Sequence, residues 1–221
     1  VYWFVFEVGF RGGSDSLPVP FVLYLVAGII PWFFFQDGLT GGTNSLLEYN
    51  YLVKKVVFNI SVLPVVKILS AVFVHLFFIV FITFLYCCYG HFPDLYYLQL
   101  LYYLAGLLLL ILGLSYLTSA VVVFFRDLSQ MISIALQIGI WLTPIMWVAE
   151  DKLIHYPLLY KILKLNPVYY IVMGYRDAFI YKHWFWEHPL WTAYFWCFVI
   201  GVLWLGTRVF KKLRVHFADV I

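Results

Sequence analysis

Long apolar stretches separated by short polar segments organise this chain. A helix needs about 20 apolar residues to cross a hydrocarbon core of about 30 Å. Five stretches suit such a crossing, and they cover residues 21–39, 65–89, 98–125, 132–148 and 190–210. A sixth, residues 1–10, covers only about half a bilayer at 1.5 Å per residue. We therefore predict an all-α integral membrane protein with six spans, the first truncated here, in one domain over residues 1–221.

One further apolar segment, 166–181, is too short to span and carries charge at its centre. Asn166 suits a helix N-cap, and Pro167 suits the first turn, where its missing N–H costs nothing. Helices of this length more often lie in the interface or re-enter the membrane. The segment is therefore predicted to be a short helix held at one membrane face.

Arg176 and Asp177 are the sharpest polar feature of that segment. Neighbouring residues on a helix do not face each other, so the two side chains need other partners. A charge near membrane depth is costly and usually meets a partner or a cavity. Two interpretations stay open for Arg176: a structural ion pair to another helix, or a gate or phosphate contact suited to its forked guanidinium.

The basic residues indicate the orientation. The tail after Phe210 is basic, and short basic flanks mark the cytoplasmic side. Six spans place both termini on that side, so both are predicted to be cytoplasmic. The same parity places the 48–61 linker and the Arg126–Asp127 turn inside, and the 150–189 segment outside. The linker is amphipathic, which is typical either of a helix lying on headgroups or of a helix docked on a cytoplasmic partner.

Composition excludes several classes of function. Hydrophobic residues make up 65% of the chain and charged residues 11%, which is the balance of a membrane protein. The net charge of +3 comes without a basic run with interleaved aromatics, so no nucleic-acid partner is expected. Aromatic residues reach 22%, and they suit either interfacial belts and helix packing or a lumen that offers flat rings to a sugar or lipid chain.

Signals of catalysis are poor, and neither a catalytic residue nor a cofactor of its own is expected. The sequence lacks the GxxxxGK[ST] loop that cradles phosphates. His183 and His188 offer a weak metal hypothesis, and interfacial histidines among tryptophans favour no metal. His75 lies within a span, where a hydrogen-bonded histidine is favoured over a proton relay. Pro31 and Pro144 fall inside apolar stretches and predict kinked or broken helices.

Four groups of residues, taken in order, resemble one family. They are Gly28–Phe34 with Asn44–Leu46; Leu52–Lys55 with Phe58 and Leu63–Pro64; Phe125–Leu128 with Leu142–Ile145; and Leu165–Pro167 with Gly174–Arg176. The series resembles the membrane subunit of ABC exporters for polysaccharides, the ABC-2 permease class, over nearly the whole chain. Residues 170–176, 194–196 and 212–220 are most similar to the wall teichoic acid permeases. The series departs from the class at Asn59, where Pro is common, and in the missing interface helix before the first span.

The resemblance implies a homodimer in the bacterial cell membrane that exports an undecaprenyl-linked polymer, most similar to wall teichoic acid. It implies separate ATP-binding subunits that hold ATP and Mg. It implies a coupling helix and turn on the cytoplasmic side, with Tyr51, Lys54, Lys55 and Arg126. It also implies an outer gate of two short re-entrant helices, 153–165 and 167–181, with Asn166, Pro167, Tyr175, Arg176 and Asp177. The implied substrate path carries Trp32, Phe33, Trp141, Tyr169 and Tyr170.

Three alternatives remain at this point. O-antigen and capsular polysaccharide permeases are close relatives within the same class. A membrane-embedded transferase would need clustered carboxylates or a His–Asp pair, whereas Glu150 and Asp151 are the adjacent acids and resemble a loop start. A small-molecule exporter of the ABC-2 class is the third.

Overall fold

The computed structural model describes residues 17–53, 59–149 and 156–217, which form helices and turns with no strand among them. The long helices are α1 (Phe21–Glu48), α3 (Val62–Cys88), α4 (Gln99–Val122), α5 (Leu128–Leu142) and α8 (Pro189–Leu213). The short helices are α2 (Asn50–Val53), α6 (Pro157–Lys164) and α7 (Pro167–Arg176). A π-helical turn, Asp177–Tyr181, continues α7, and 3-10 turns occupy Leu95–Leu98, Phe185–Glu187 and Arg214–His216.

Within the described residues, four helical segments are long and apolar enough to cross a membrane. They are Phe21–Glu48, Val62–Cys88, Leu95–Val122 and Pro189–His216. The structure therefore fits an integral, multi-pass membrane protein built of helices. The predicted first span lies in residues 1–16, outside the described residues, so the count of six spans stays a prediction.

The fourth apolar stretch gives a different helix from the one predicted. The sequence predicted a span over 132–148, but α5 has 15 residues and ends at Leu142. At 1.5 Å per residue it is about 22 Å long. The helix stops there because Pro144 disfavours helical backbone at the residue before it. Residues 143–148 follow as turns and bends.

Helix α3 presents an apolar surface to its surroundings. Phe77, Val80 and Phe84 recur at helical spacing on it and are 67–69% exposed. Large apolar side chains in such a row suit lipid or another protein rather than water. This surface agrees with a helix that lies within a bilayer.

The described residues group into two compact units. Unit 1 comprises 17–33, 75–104, 138–149 and 156–195, and unit 2 comprises 34–53, 59–74, 105–137 and 196–217. The long helices contribute one part to each unit. Unit 1 contains α6, α7 and the π-turn, and its buried side chains include many tyrosines.

Unit 2 has an apolar core built by segments of four helices and the turn at the end of α8. Its buried residues are Leu46, Leu63, Ala120, Val123, Phe210 and Phe217. Phe210 packs edge-to-face against Phe217 at 5.6 Å and against Tyr116 at 5.1 Å between ring centroids. The hydroxyls of Thr43 and Thr118 share a hydrogen bond of 2.7 Å, which joins α1 to α4.

Glycines allow the helices of unit 2 to approach closely. A Cβ at Gly42 would lie 2.2 Å from the Ser115 hydroxyl, and a Cβ at Gly206 would lie 2.2 Å from the Gly113 carbonyl oxygen. The first contact joins α1 to α4 and the second joins α8 to α4. Small residues at such crossings are typical of membrane helices, where backbones pack directly. Gly38, four residues before Gly42, faces α4 as well, since a Cβ there would lie 3.1 Å from the Ile111 side chain.

The predicted coupling residues are partly described. Tyr51 lies on α2 and is 57% exposed, and Arg126 is exposed in the turn between α4 and α5. Lys54 and Lys55 lie outside the described residues, so the predicted coupling helix cannot be assigned beyond α2.

The close packing of α8 against α4 can be tested by substituting two glycines of α8, one at the crossing and one away from it. Gly206→Ala should lower the melting temperature of the purified protein, because the added methyl group meets the Gly113 backbone, and overpacking costs about 1–3 kcal/mol. Gly201→Ala is the matched control, since a Cβ there meets nothing within 4 Å. Differential scanning fluorimetry measures both, and equal melting temperatures would contradict the packing of α4 against α8.

Candidate functional site

The site begins with the backbone that follows α5. Thr143, Ile145 and Val148 are buried although this stretch is not helical. Carbonyl groups at the end of a helix lack their usual partners, and at membrane depth water cannot replace them. The protein must therefore supply hydrogen-bond donors to residues 143–148, which we call the break.

Asn166 supplies the first contact between α7 and the break. Its side-chain oxygen accepts from the N–H of Val168 at 3.0 Å, and its amide nitrogen donates to the Thr143 hydroxyl at 3.0 Å. Pro167 occupies the first turn of α7. The predicted N-cap and the predicted position of the proline are both confirmed.

Arg176 supplies the second contact and is fully buried. Its Nη1 donates to the Pro144 carbonyl oxygen and its Nη2 to the Ile145 carbonyl oxygen, both at 2.8 Å. The guanidinium carbon lies 3.7 Å from the centroid of the Tyr24 ring, so α1 covers one face of the cation. Gly28 makes room beside it, since a Cβ there would lie 2.9 Å from Nη2.

These contacts bear on the two interpretations left open for Arg176. The guanidinium contacts two carbonyl oxygens, a methionine sulphur and a ring face. Charge-assisted bonds to the break explain why an arginine is placed there, because its fork meets two acceptors at once. The geometry supports a positioning role for Arg176, with carbonyls in place of the carboxylate partner that the sequence suggested.

Two further contacts hold α7 on its other sides. The hydroxyl of Tyr175 lies 2.8 Å from Nε2 of His75 on α3, and both side chains are buried. The prediction of a hydrogen-bonded His75 is confirmed. A Cβ at Gly174 would lie 2.1 Å from the Tyr103 ring, so α7 and α4 are in direct contact. Helix α7 is thus fixed against α1, α3, α4 and the break.

Beyond Arg176 the helix changes its pitch. Asp177–Tyr181 forms a π-helical turn and ends at Lys182, whose φ of 61° is left-handed. The ammonium group of Lys182 pairs with Asp94, which caps the 3-10 turn before α4. The predicted helical extent of 167–181 is confirmed, whereas the π-turn within it was not predicted.

A cavity of about 670 Å³ lies beside α7 in unit 1. Its volume falls within the range of about 300–1,000 Å³ that is usual for ligand sites. Aromatic and titratable side chains together form much of its lining. The lining residues are Leu17, Val148, Tyr160, Lys164, Tyr169, Met173, Asp177, Tyr181, His183, Glu187, His188, Pro189, Leu190 and Trp191.

Trp191 and Lys164 are two lining residues that contact each other. The indole N–H of Trp191 donates to the Lys164 carbonyl oxygen at 2.9 Å. The Lys164 ammonium lies 4.6 Å from the Tyr160 ring centroid and 5.4 Å from that of Trp191. The tryptophan ring is therefore held in place by a backbone bond on one edge and by packing.

Glu187 is fixed by two donors. Its Oε1 accepts from the Trp184 backbone N–H at 2.8 Å, and its Oε2 lies 2.9 Å from Nδ1 of His183. The Trp184 N–H, with the His183 contact, holds the pKa of Glu187 below its usual range. The carboxylate is thus ionised at neutral pH and points in a set direction.

The predicted site residues do not form one continuous surface. Asn166, Tyr175 and Arg176 contribute to the packing of α7, and Asp177 lines the cavity. Of the predicted substrate path, Tyr169 also lines the cavity, Trp32 and Tyr170 are buried, and Phe33 and Trp141 are exposed.

The sequence reasoning missed Lys164, Glu187 and Trp191 as one group. They come from three elements, so no local motif contains them. His183 and His188 both line the cavity, but within the described ranges no three His, Cys, Asp or Glu residues converge as metal ligands.

Comparison with known proteins gives a match over the whole chain. No family model matches. Two curated proteins, both O-antigen export system permease protein RfbA from Klebsiella pneumoniae, are 26% identical over 224 residues and 27% identical over 225 residues. Each alignment covers 100% of this chain and 82% of the relative. The similarity therefore includes the break, α7 and the segments that line the cavity.

The contacts of Arg176 can be tested with one variant that removes the charge and one that keeps it. Arg176→Gln should lower the melting temperature by at least about 6 °C, because two buried carbonyls lose charge-assisted bonds of about 1.5–3 kcal/mol each and each kcal/mol corresponds to about 2–4 °C in a chain of this size. Arg176→Lys should also destabilise, since one ammonium cannot repeat the fork.

Arg208→Gln is the matched control, because Arg208 is exposed on α8 with its guanidinium 4.8 Å from the Trp204 ring. Its effect should stay within about 1 kcal/mol. The melting temperatures of the three variants, measured in the same detergent, test whether Arg176 stabilises the break. A shift for Arg176→Gln no larger than that of the control would contradict the positioning role.

Proposed function

We propose that this chain is the membrane permease subunit of an ABC exporter for a cell-surface polysaccharide of the O-antigen type. The observation that carries the proposal is the similarity to O-antigen export permeases over 100% of the chain. The multi-pass helical structure supports the proposal, because the alignment with the permeases includes all the helices that are long and apolar enough to span a membrane.

The polymer is the part of the proposal that changes most from the sequence analysis. The resemblance favoured wall teichoic acid and kept O-antigen and capsular polysaccharide as alternatives. Both matched relatives are named for O-antigen export, so the comparisons support the alternative better. The support that remains for teichoic acid is the resemblance of residues 170–176, 194–196 and 212–220 to wall teichoic acid permeases.

The proposal includes partners that this chain does not itself supply. The permease is not an enzyme alone; ATP and Mg bind a separate ATP-binding subunit, and two copies of the chain form the path for a lipid-linked polymer. Both termini and the α4–α5 turn lie on the cytoplasmic side, and α6 and α7 lie on the outer side of the bacterial cell membrane. The basic tail after Phe210 supports this orientation.

In this arrangement α7 acts as a rigid part of the outer gate. Arg176, Asn166 and Tyr175 tie it to the break, to Tyr24 on α1 and to His75 on α3, so a movement of those elements carries α7 with it. A helix held by such close contacts moves as a unit, so a displacement of its neighbours would open or close the gate rather than deform it gradually.

Export is the direct test of the proposal. Expression of the chain with its cognate ATP-binding subunit should restore surface polysaccharide in a strain that lacks its O-antigen permease. Surface extraction and gel electrophoresis of the polymer measure the effect. An ATPase-inactive partner should abolish rescue. Rescue of drug resistance without polymer at the surface would instead support small-molecule export and overturn the proposal.

Coupling to the partner is tested on the cytoplasmic residues. The double variant Lys54→Glu, Lys55→Glu and the single variant Arg126→Glu should each reduce co-purification of the ATP-binding subunit several-fold, because reversed charge opposes the docked surface. Lys161→Glu, on the exposed side of α6, is the control, since the proposal places α6 on the opposite side of the membrane. Unchanged co-purification would favour contact of the linker with lipid headgroups.

A further inference from the structure

One side of α8 changes from apolar to basic toward the end of the helix. Trp204, Arg208, Lys211 and Lys212 follow one another at intervals of four, three and one residues. At about 100° per residue they fall within an arc of about 100°. All four side chains are exposed, and we call them the basic face of α8. Ile200, one turn before Trp204, continues the same side and is 62% exposed.

The order of these side chains matches the layers of a bilayer. Helix α8 belongs to the segment Pro189–His216, which is long and apolar enough to span a membrane. At 1.5 Å per residue, Arg208 and Lys212 lie about 6 Å and about 12 Å beyond Trp204 along the helix axis. Tryptophan is enriched at the membrane–water interface, and the polar region of one leaflet is about 5–8 Å thick. With Trp204 at the interface, the cations therefore lie at the level of the lipid headgroups.

Arg208 is held against the ring of Trp204. Its guanidinium carbon lies 4.8 Å from the ring centroid, a distance at which the ring attracts a cation. An arginine stacked in this way keeps its N–H donors at the edge of the guanidinium plane, where they can donate to phosphate oxygens in pairs. Lys211 and Lys212 add two mobile cations within the next turn. The basic face thus combines one directional donor group with two adaptable charges.

The charge of the basic face is not neutralised within the protein. Every ion pair among the described residues involves other cations than these three. Residues 200–221 carry four basic side chains and one carboxylate, so their formal charge is +3 with His216 counted as neutral. That carboxylate is Asp219, outside the described residues, and a pair with one cation would leave three cations uncompensated. Residues 54–58, which are also outside them, add two lysines and no acid.

The other undescribed segments join the described chain at the opposite end of α8. Leu17 follows segment 1–16, and Val148 precedes segment 150–155 by two residues. Both line the cavity together with Trp191. Trp191 and Lys211 are 20 residues apart on one continuous helix, which corresponds to about 30 Å. A carboxylate of these segments would therefore have to extend across that length to reach the basic face.

The apolar side chains beside the cations indicate which partner covers this side of α8. Ile200 and Trp204 suit acyl chains, and the cations next to them suit an anionic headgroup. A water-soluble subunit could meet the cations, but Ile200 would lie in hydrocarbon beyond its reach. A second copy packed on this face through a two-fold axis would oppose like charges. A phospholipid is the partner that fits both parts of the surface.

We propose that the basic face of α8 binds the headgroup of an anionic phospholipid, with an acyl chain along Trp204 and Ile200. A leaflet that contains anionic lipid attracts lysine and arginine next to a membrane span. A zwitterionic headgroup also carries an ammonium group, which the three cations repel. The inference goes beyond the proposed function and does not depend on it, because it requires only that α8 spans a bilayer.

Native mass spectrometry of the whole chain in an uncharged detergent measures the binding. The probes are phosphatidylglycerol and phosphatidylcholine with identical oleoyl chains, and glycerol 3-phosphate as a headgroup without chains. Phosphatidylglycerol should bind at least tenfold more tightly than phosphatidylcholine. Glycerol 3-phosphate at the same concentration should not displace it, because the acyl chain contributes to binding. Equal affinity for the two lipids, or displacement by glycerol 3-phosphate, would overturn the inference.

Variants locate the preference on the basic face. Lys211→Gln combined with Lys212→Gln should reduce the preference for phosphatidylglycerol at least threefold. Lys211→Arg combined with Lys212→Arg is the matched control, since it keeps both charges, and its preference should stay within twofold of the wild type. Both lysines are exposed, so size-exclusion chromatography should show folded protein for both variants. Lys161→Gln removes an exposed cation on α6 and should leave the preference unchanged.

The remaining outcomes each contradict the inference. An unchanged preference in the glutamine variant, or an equal loss in Lys161→Gln, would show that the basic face does not select the lipid. If the glutamine variant keeps the preference but loses the ATP-binding subunit or changes its oligomeric mass, the face binds protein instead.

The lipid inference and the proposed function fail separately. A wild-type chain that restores polymer export without preferring phosphatidylglycerol would overturn the lipid inference alone. A chain that prefers phosphatidylglycerol but exports no polymer would overturn the proposed function alone.

Discussion

The structure of unit 1 depends on one constraint: a broken helix buried in a membrane protein must find donors for its carbonyl groups. Pro144 ends α5 early, and the carbonyls of Pro144 and Ile145 face the interior. Arg176 meets both, at the cost of burying a cation completely. The cost is offset by charge-assisted bonds and by the Tyr24 ring, and removal of the arginine would leave two buried acceptors unsatisfied.

This constraint explains why so many neighbours of α7 are tyrosine, histidine or glycine. A buried guanidinium packs well against aromatic faces and small residues. Any side chain at Gly28 would displace the guanidinium, since even a Cβ there would lie 2.9 Å from Nη2 of Arg176. Tyr175, one residue before the cation, is hydrogen-bonded to His75. The buried side chains of Arg176, Tyr175 and His75 therefore connect parts of the unit instead of facing lipid, as burial at membrane depth requires.

Much of the fold was predictable because hydropathy is a strong signal when the solvent is a bilayer. The places of the long helices along the chain, the N-cap at Asn166 and the interruption at Pro144 follow from hydropathy and local chemistry. The predicted ends of the helices were less accurate, since α1 continues to Glu48 and α5 covers Leu128–Leu142. The partners of Arg176 could not be predicted in this way, because the two carbonyls lie 31 and 32 positions away in sequence. Every residue carries the same backbone carbonyl, so the residue type does not show which one accepts a bond. The π-turn has no residue signature, so the common face of Asp177 and Tyr181 could be recognised only once the backbone was known.

Arg176 and Asp177 show how one short helix serves two tasks. Since neighbouring side chains diverge by about 100° on a helix, the arginine enters the packing while the aspartate lines the cavity. The two adjacent opposite charges, which the sequence predicted to need other partners, are thus divided between the packing of α7 and the lining of the cavity. It follows that the position of the cavity face is set by the bonds between Arg176 and the break. A change that loosens those bonds alters the cavity without touching any residue that lines it.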